Sequence, residues 1–285
     1  MIPRAAITAW RPSAPWATDA QVEQDLVLSR AIVEIFSEPT LASALVFRGG
    51  TALHKLFFTP AARYSEDIDL VQTAPGPIGA VMDALRFRFD GWLGKPKREQ
   101  KEGSVRFMYR FQSEIPPVTP LRLKVEINTR EQFNVLGLAR KEFVVASTWF
   151  SGKADVVTYT LEELLGTKLR ALYQRKKGRD LFDMATALRR VPALEAAKVM
   201  DCFTRYLAHT GKRVSRAEYE ANLAEKIDDP AFTKDILPLL TDGVAYEAGG
   251  LAFDEPDGLD AARAWAEVHR AFITRLPGEP WKRPR

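Results

Sequence analysis

Strand-like alternation fills the first part of this 285-residue chain and disappears after Tyr159, and that change limits the folds open to it. "SVRFMYRFQ" and "LRLKVEIN" alternate polar and apolar residues as half-buried strands do, and "EIPPVTP" between them holds prolines that neither a strand nor a helix continues through. "EFVVAS" and "DVVTYT" read as further short strands. From Leu161 the texture becomes helical, in "LEELLGTKLRALYQRKKG", "RDLFDMATALRR", "VPALEAAKVMDCFTRYLAHT", "RAEYEANLAEKI" and a final "GLDAARAWAEVHRAFITRL". The expectation is two domains: an α/β domain with an N-terminal arm over residues 1–159, and an all-helical domain over 160–285. With 46% hydrophobic residues either part can bury a core.

Within the first domain, the segment before Thr18 carries three prolines and two tryptophans without periodicity and reads as an extended arm. "TDAQVEQDLVLSRAIVEIF" then repeats apolar residues at helical intervals behind a Thr18 or Asp19 cap. "ALVF" is a short buried strand that ends at Gly49 and Gly50, a helix starts around Thr51, and "DIDLV" alternates as a strand.

The formal net charge is only +4, so its distribution is more telling than its sum. Residues 86–110 hold eight Lys or Arg against three Asp or Glu, and residues 164–190 hold eight against two. Residues 241–260 hold six acids and no base. Pooled bases suit a phosphate-bearing partner, and they equally suit a solvated helix face. The lone Cys202 excludes an internal disulfide, and the three histidines lack metal-ligand spacing. The sequence carries no export signal and no run of eighteen apolar residues, so a cytoplasmic protein without a membrane partner is expected.

Gly49-Gly50-Thr51, at the junction of strand and helix, leaves backbone amides unpaired at the positive end of a helix dipole and lets an oxyanion approach closely. The same three residues also fit a plain strand-to-helix turn. Asp67 and Asp69, at i and i+2, project from one strand face while Ile68 and Leu70 point into the core. Two carboxylates side by side repel unless a cation separates them, and an all-oxygen pair suits magnesium or manganese; a solvated strand face is the alternative. Phosphate donors beside a divalent-metal pair are the requirement of nucleotidyl transfer.

Glu126, between apolar Val125 and Ile127, would join the pair if its strand lies next to "DIDLV". Lys168 falls on the apolar stripe of its helix facing the other half, where it either snorkels or reaches a triphosphate in an interdomain cleft. By wheel counting against Leu181, Met184, Ala185 and Leu188, Asp183 falls away from the apolar stripe and belongs on a solvated salt-bridge face.

"FRGGTALHK", "RYSEDIDL", "KVEINTRE" and "KLRALYQRKKGRDLFDM" occur in the order found in the AbiEii/AbiGii family of nucleotidyltransferase toxins, which includes the MenT-type toxins, and the resemblance spans residues 21–188. The family is a branch of the DNA-polymerase-β-like nucleotidyltransferases. The resemblance therefore implies an α+β fold, a small mixed sheet with helices followed by a helical C-terminal domain. It also implies magnesium-dependent transfer of a nucleotide from a nucleoside triphosphate to the 3′ end of tRNA, a block on translation, and a cognate antitoxin. Residue by residue, Gly49, Gly50 and Thr51 match the phosphate-binding turn, and Asp67 and Asp69 the metal carboxylates. Lys168 matches the essential lysine, Asp183 the essential late aspartate, and Glu126 an acidic position held by aspartate in other polymerase-β-like enzymes. Ser65 occupies a position that some antitoxins phosphorylate. The run Arg175, Lys176, Lys177 and Arg179 reads as a grip on an RNA backbone. Two other readings stay open: the acceptor is a small molecule or a protein hydroxyl, or the chain binds RNA without catalysis.

Overall fold

The computed structural model describes residues 2–240 and 261–282; the acidic stretch 241–260 and the beginning of the last predicted helix lie outside them. Contacts cluster into two units, Met1–Tyr159 and Thr160–Arg285.

The N-terminal segment is not an extended arm. Helix α1 (Arg4–Trp10) follows Pro3, and a 3₁₀ turn (Arg11–Ser13) follows the helix. Pro3 and Pro12 stand at helix starts, where a missing N–H leaves no bond unmade, and Ala6, Ile7 and Trp10 form the buried side of α1. The indoles of Trp10 and Trp16 donate to the two oxygens of Asp25, each over 2.9 Å. Asp25 belongs to α2 (Asp19–Phe36), which starts in a capping box between Thr18 and Gln21. This helix is buried on nearly every side, so it shows no single stripe, and Glu23 and Asp25 are enclosed with its apolar residues.

Helix α3 (Pro39–Ala44) leads to β1 (Leu45–Arg48), followed by α4 (Gly49–Leu56), β2 (Asp67–Gln72) and α5 (Gly79–Leu93). Strands β3 (Lys97–Lys101), β4 (Ser104–Gln112), β5 (Pro120–Asn128), β6 (Leu138–Ala146) and β7 (Ser151–Tyr159) complete the unit. All seven strands form one mixed sheet in the order β3-β4-β5-β2-β1-β7-β6. The β2–β5 and β1–β7 pairs are parallel and the other pairs antiparallel. Ile68, Leu70, Val105, Phe107, Tyr109, Leu123, Val125 and Ile127 are buried on the core face, and α2 packs on β5 and β7. On β2, β4 and β5 the alternate residues stay at least partly open to solvent along the segment that carries the acids.

The second unit is helical, with α6 (Leu161–Gln174), α7 (Gly178–Arg190), α8 (Ala196–His209), α9 (Arg216–Ile227), α10 (Pro230–Thr233) and α11 (Ala261–Ala271). The predicted helix over "LEELLGTKLRALYQRKKG" ends early: Arg175 takes an extended backbone, and the basic run falls in the connection and the start of α7. Gly166 lets α6 approach α8 closely, since a Cβ there would stand 2.5 Å from Cβ of Cys202. Burial pushes the Cys202 thiol up to about 12, which makes it an inert packing residue. The α+β class that the family resemblance implies is the class of this fold.

Candidate active site

Sheet order and register turn separate sequence motifs into rows of side chains. Arg48 on β1 lies opposite Asp69 on β2, Asp69 opposite Glu126 on β5, Glu126 opposite Arg106 on β4, and Arg106 opposite Glu99 on β3. The signs along this row run plus, minus, minus, plus, minus. Its one like-charged neighbour pair is Asp69 with Glu126, where direct juxtaposition of carboxylates is unfavourable. In the next row Asp67 lies opposite Lys124, whose Nζ is 2.7 Å from Asp67 Oδ2 and 3.6 Å from Glu126 Oε2.

Other charges fix the edges of the row. Arg106 donates to Glu126 Oε2 over 3.2 Å from Nε and 3.0 Å from Nη2, and Arg48 donates to Glu131 over 2.6 Å. Burial, and then the neighbouring Asp67 charge, raise the Asp69 pKa above the usual carboxylate value against the pull of Lys124 and Arg48. Burial works to lower the Lys124 pKa, but Asp67, Asp69 and Glu126 together hold it above the ordinary lysine value.

The glycine turn abuts these acids. Gly49 has φ +81°, and a Cβ on it would fall 2.3 Å from Asp69 Oδ2, so only glycine leaves that carboxylate its place. A Cβ on Gly50 would lie 2.7 Å from Nη2 of Arg63, a buried arginine whose Nη1 donates to the Tyr64 carbonyl over 2.9 Å. No side chain caps the start of α4, so its first amides keep their capacity to bind an anion. Thr51 is buried and its hydroxyl is committed to the scaffold, 2.8 Å from Ser65 Oγ and donating over 2.5 Å to the Asp67 carbonyl. Ser65 thus sits against the turn, half-buried.

Lys124, Arg106 and Arg63 were not among the residues singled out from the sequence. In "LRLKVEIN" the i, i+2 spacing that puts Glu126 on the open face puts Lys124 there too, so this signal was present. Arg63 had none, because its burial depends on the packing of the loop before β2.

Helical-unit candidates form a second group. Lys168 Nζ is 2.9 Å from both Asp180 Oδ1 and Asp183 Oδ2, and both carboxylates are 0% exposed. Arg175 makes a two-pronged contact with Asp180, 2.6 Å from Nε and 2.7 Å from Nη2. Burial works to raise the Asp180 pKa, but Lys168 and Arg175 hold it below the usual carboxylate value. The solvated face that the wheel assigned to Asp183 is therefore incorrect: α7 is enclosed from Asp180 to Ala187 on every side, and a wheel separates faces only when one of them meets water. The basic run is paired within its own unit. Arg175 meets Asp180, Lys176 meets Asp229, and Lys177 and Arg179 meet Asp235.

The family description "Nucleotidyl transferase AbiEii toxin, Type IV TA system" matches residues 30–268. The chain belongs to the AbiEii nucleotidyltransferase toxin family. It is accordingly a nucleotidyltransferase toxin of a toxin–antitoxin system, with an antitoxin as cognate partner and a nucleoside triphosphate as substrate. Its fold is similar to that of MenT4, a nucleotidyltransferase toxin from Mycobacterium tuberculosis H37Rv, at TM-score 0.62 and 16% identity over 98% of this chain and 91% of that one. A putative nucleotidyltransferase from H. pylori matches at TM-score 0.47 and 17% identity over 89% of this chain and 93% of that one. Among curated proteins no relative matches the chain. Among the described residues no helix is long and apolar enough to cross a membrane.

Proposed function

We propose that this AbiEii-family toxin uses magnesium or manganese to transfer a nucleoside monophosphate from a nucleoside triphosphate to an RNA 3′ end, that of tRNA first, and so blocks translation in the cytoplasm. The observation that carries the reading is the alignment of Asp67 and Asp69 on one open sheet face, against the glycine turn and the uncapped start of α4.

The donor set fits the metal. Among the described residues no three His, Cys, Asp or Glu groups converge closely enough to hold an ion, and magnesium is commonly held by one or two carboxylates, with phosphate oxygens and water supplying the rest. Asp67 and Asp69 would be those carboxylates. A divalent ion bound there supplies positive charge to the triphosphate and lowers the pKa of the acceptor hydroxyl. The amides of Gly50 and Thr51 receive phosphate oxygens, and buried Arg63 adds a fixed positive charge beside Gly50. Glu126, held by Arg106, keeps its carboxylate in the row next to Asp69. In the helical unit Lys168 and Asp183 are assigned as essential residues, and the two carboxylates around Nζ fix that ammonium in one position.

Incubation with magnesium, labelled nucleoside triphosphates and total tRNA tests the reading. Labelled RNA is expected with the wild-type protein and none with Asp67→Ala; labelling that persists in the variant overturns the metal assignment. Because Arg175, Lys176, Lys177 and Arg179 are each engaged by an acid, a small-molecule or protein-hydroxyl acceptor is the second reading, and a labelled product that resists ribonuclease would select it.

A further inference from the structure

The acids at the centre of the sheet face carry a counter-charge of their own. Asp67, Asp69 and Glu126 stand within two adjacent rows of neighbouring parallel strands, and such a group of like charges opposes folding unless a cation lies among them. Arg48 and Arg106 flank the group, but Arg48 is turned to Glu131, and Arg106 reaches only Glu126 among the three. Lys124 is the cation placed between them. It is the register partner of Asp67, it shares a face with Glu126 two residues along β5, and its Nζ lies 2.7 Å from Asp67 Oδ2 and 3.6 Å from Glu126 Oε2. Its side chain is half-buried, so its charge is only partly screened by solvent.

We infer that Lys124 is a tethered counter-ion of the carboxylate face, neutralising Asp67 and Glu126 in the metal-free protein and competing with the divalent ion for Asp67. The inference rests on the assignment of Asp67 and Asp69 as metal carboxylates. A lysine suits this role because its four-carbon stem is flexible, so the ammonium can leave Asp67 without moving β5. While the ammonium stays at hydrogen-bond distance from a ligand oxygen it opposes a doubly charged ion at that oxygen, so the ion binds only as the ammonium gives way. Lys124 thereby sets how much metal the toxin needs before its site is formed, and keeps the acids together when metal is scarce.

The probe is Mn²⁺ alone, with no nucleotide, titrated into the full chain and followed by electron paramagnetic resonance of the free ion. Wild type is compared with Lys124→Met, Lys124→Gln and Asp67→Asn, and each protein's melting temperature is recorded in chelator and in Mn²⁺. The expected result is Mn²⁺ binding at least about tenfold tighter in both Lys124 variants, with a larger rise in melting temperature on adding Mn²⁺ than wild type shows. Equal or weaker binding by folded Lys124 variants would overturn the inference and leave Lys124 as a support for the carboxylates, with the metal reading intact if Asp67→Asn still abolishes binding. Binding by Lys124→Met alone, lost again when Asp67→Asn is added, supports it in its strongest form. No Asp67-dependent signal in any of the proteins removes the metal reading and this inference with it.

Discussion

Both units gather acids around a lysine, but the two groups differ in what surrounds them. On the sheet face, Asp67, Asp69 and Glu126 are half-buried, and Lys124 on β5 pairs with Asp67 across the strands and with Glu126 along its own strand. In the helical unit, Asp180 and Asp183 are wholly enclosed, and Lys168, itself 7% exposed, lies between them. A partly solvated acid can exchange one cation for another at modest cost. A sealed acid depends on the partners packed against it, since removal of one leaves a charge in a medium that solvates it poorly. The first group is therefore open enough to exchange a cation, and the second holds one charge still.

The largest expected effect breaks the second group. Lys168→Ala should destabilise the helical unit by about 3–5 kcal/mol, read from urea unfolding, because two enclosed carboxylates, Asp180 and Asp183, lose the ammonium between them. The equivalent deletion on the sheet, Lys124→Met, should cost about 1 kcal/mol or less in the same measurement. Equal losses would erase the distinction between the two groups.

Next comes Gly49→Ala. The added methyl group meets Asp69 Oδ2, and the positive φ adds about 1 kcal/mol of strain, so activity should drop by about 100-fold while most of the protein stays folded. Turnover near wild type would show that Asp69 need not sit where it does.

The pH dependence separates an enclosed acid held down by cations from one pushed up mainly by burial. Asp180, whose pKa is lowered, contributes stability that is complete above the ordinary carboxylate value and is lost as pH falls through its lower folded value; Asp180→Asn should flatten that acid limb. Glu23 is 1% exposed, with one oxygen receiving the Glu114 amide and the other unpartnered, and burial raises it to about 7. Its folded pKa lies above its unfolded one, so it destabilises increasingly between about pH 4.5 and pH 7. Glu23→Gln should accordingly gain at most about 3 kcal/mol at pH 8 and nothing at pH 4, measured by denaturation at the two pH values. An identical pH profile in wild type and variant would show that Glu23 titrates as an ordinary acid.

The smallest effect belongs to the basic run. Lys177→Ala removes an exposed partner of Asp235 that Arg179 also holds, so stability should change by less than about 0.5 kcal/mol. A clear fall in RNA binding, seen as a shallower salt dependence, would give that lysine a nucleic-acid role.

Much of this was legible in the sequence where local chemistry acts alone. Thr18 does cap α2, alternation does place Ile68 and Leu70 in the core, and Asp67, Asp69 and Glu126 do share the open side of the sheet. What alternation could not supply is register. That Asp69 meets both Arg48 and Glu126 depends on β2 lying between β1 and β5, an order set by packing across the whole unit. Helix α5 was missed because Val81, Leu85, Phe89 and Leu93 make a narrow stripe, while Phe87 on another side is 85% exposed. Strand β3, "KREQK", is polar throughout and is held in the sheet by β4 alone. Asp183 was misplaced because burial on all sides of α7 leaves no contrast for periodicity to detect.

The carboxylate of Asp25 has a bearing on how the chain can be trimmed. It takes one indole each from Trp10 and Trp16, and Lys55 Nζ lies 2.7 Å from both its oxygens. Lys55 belongs to the helix that begins at Gly49. A chain begun at Thr18 would leave that lysine as the main partner of a buried acid, with two ring-shaped gaps beside it. Those first residues are thus a plug whose removal would be felt at the far end of α4.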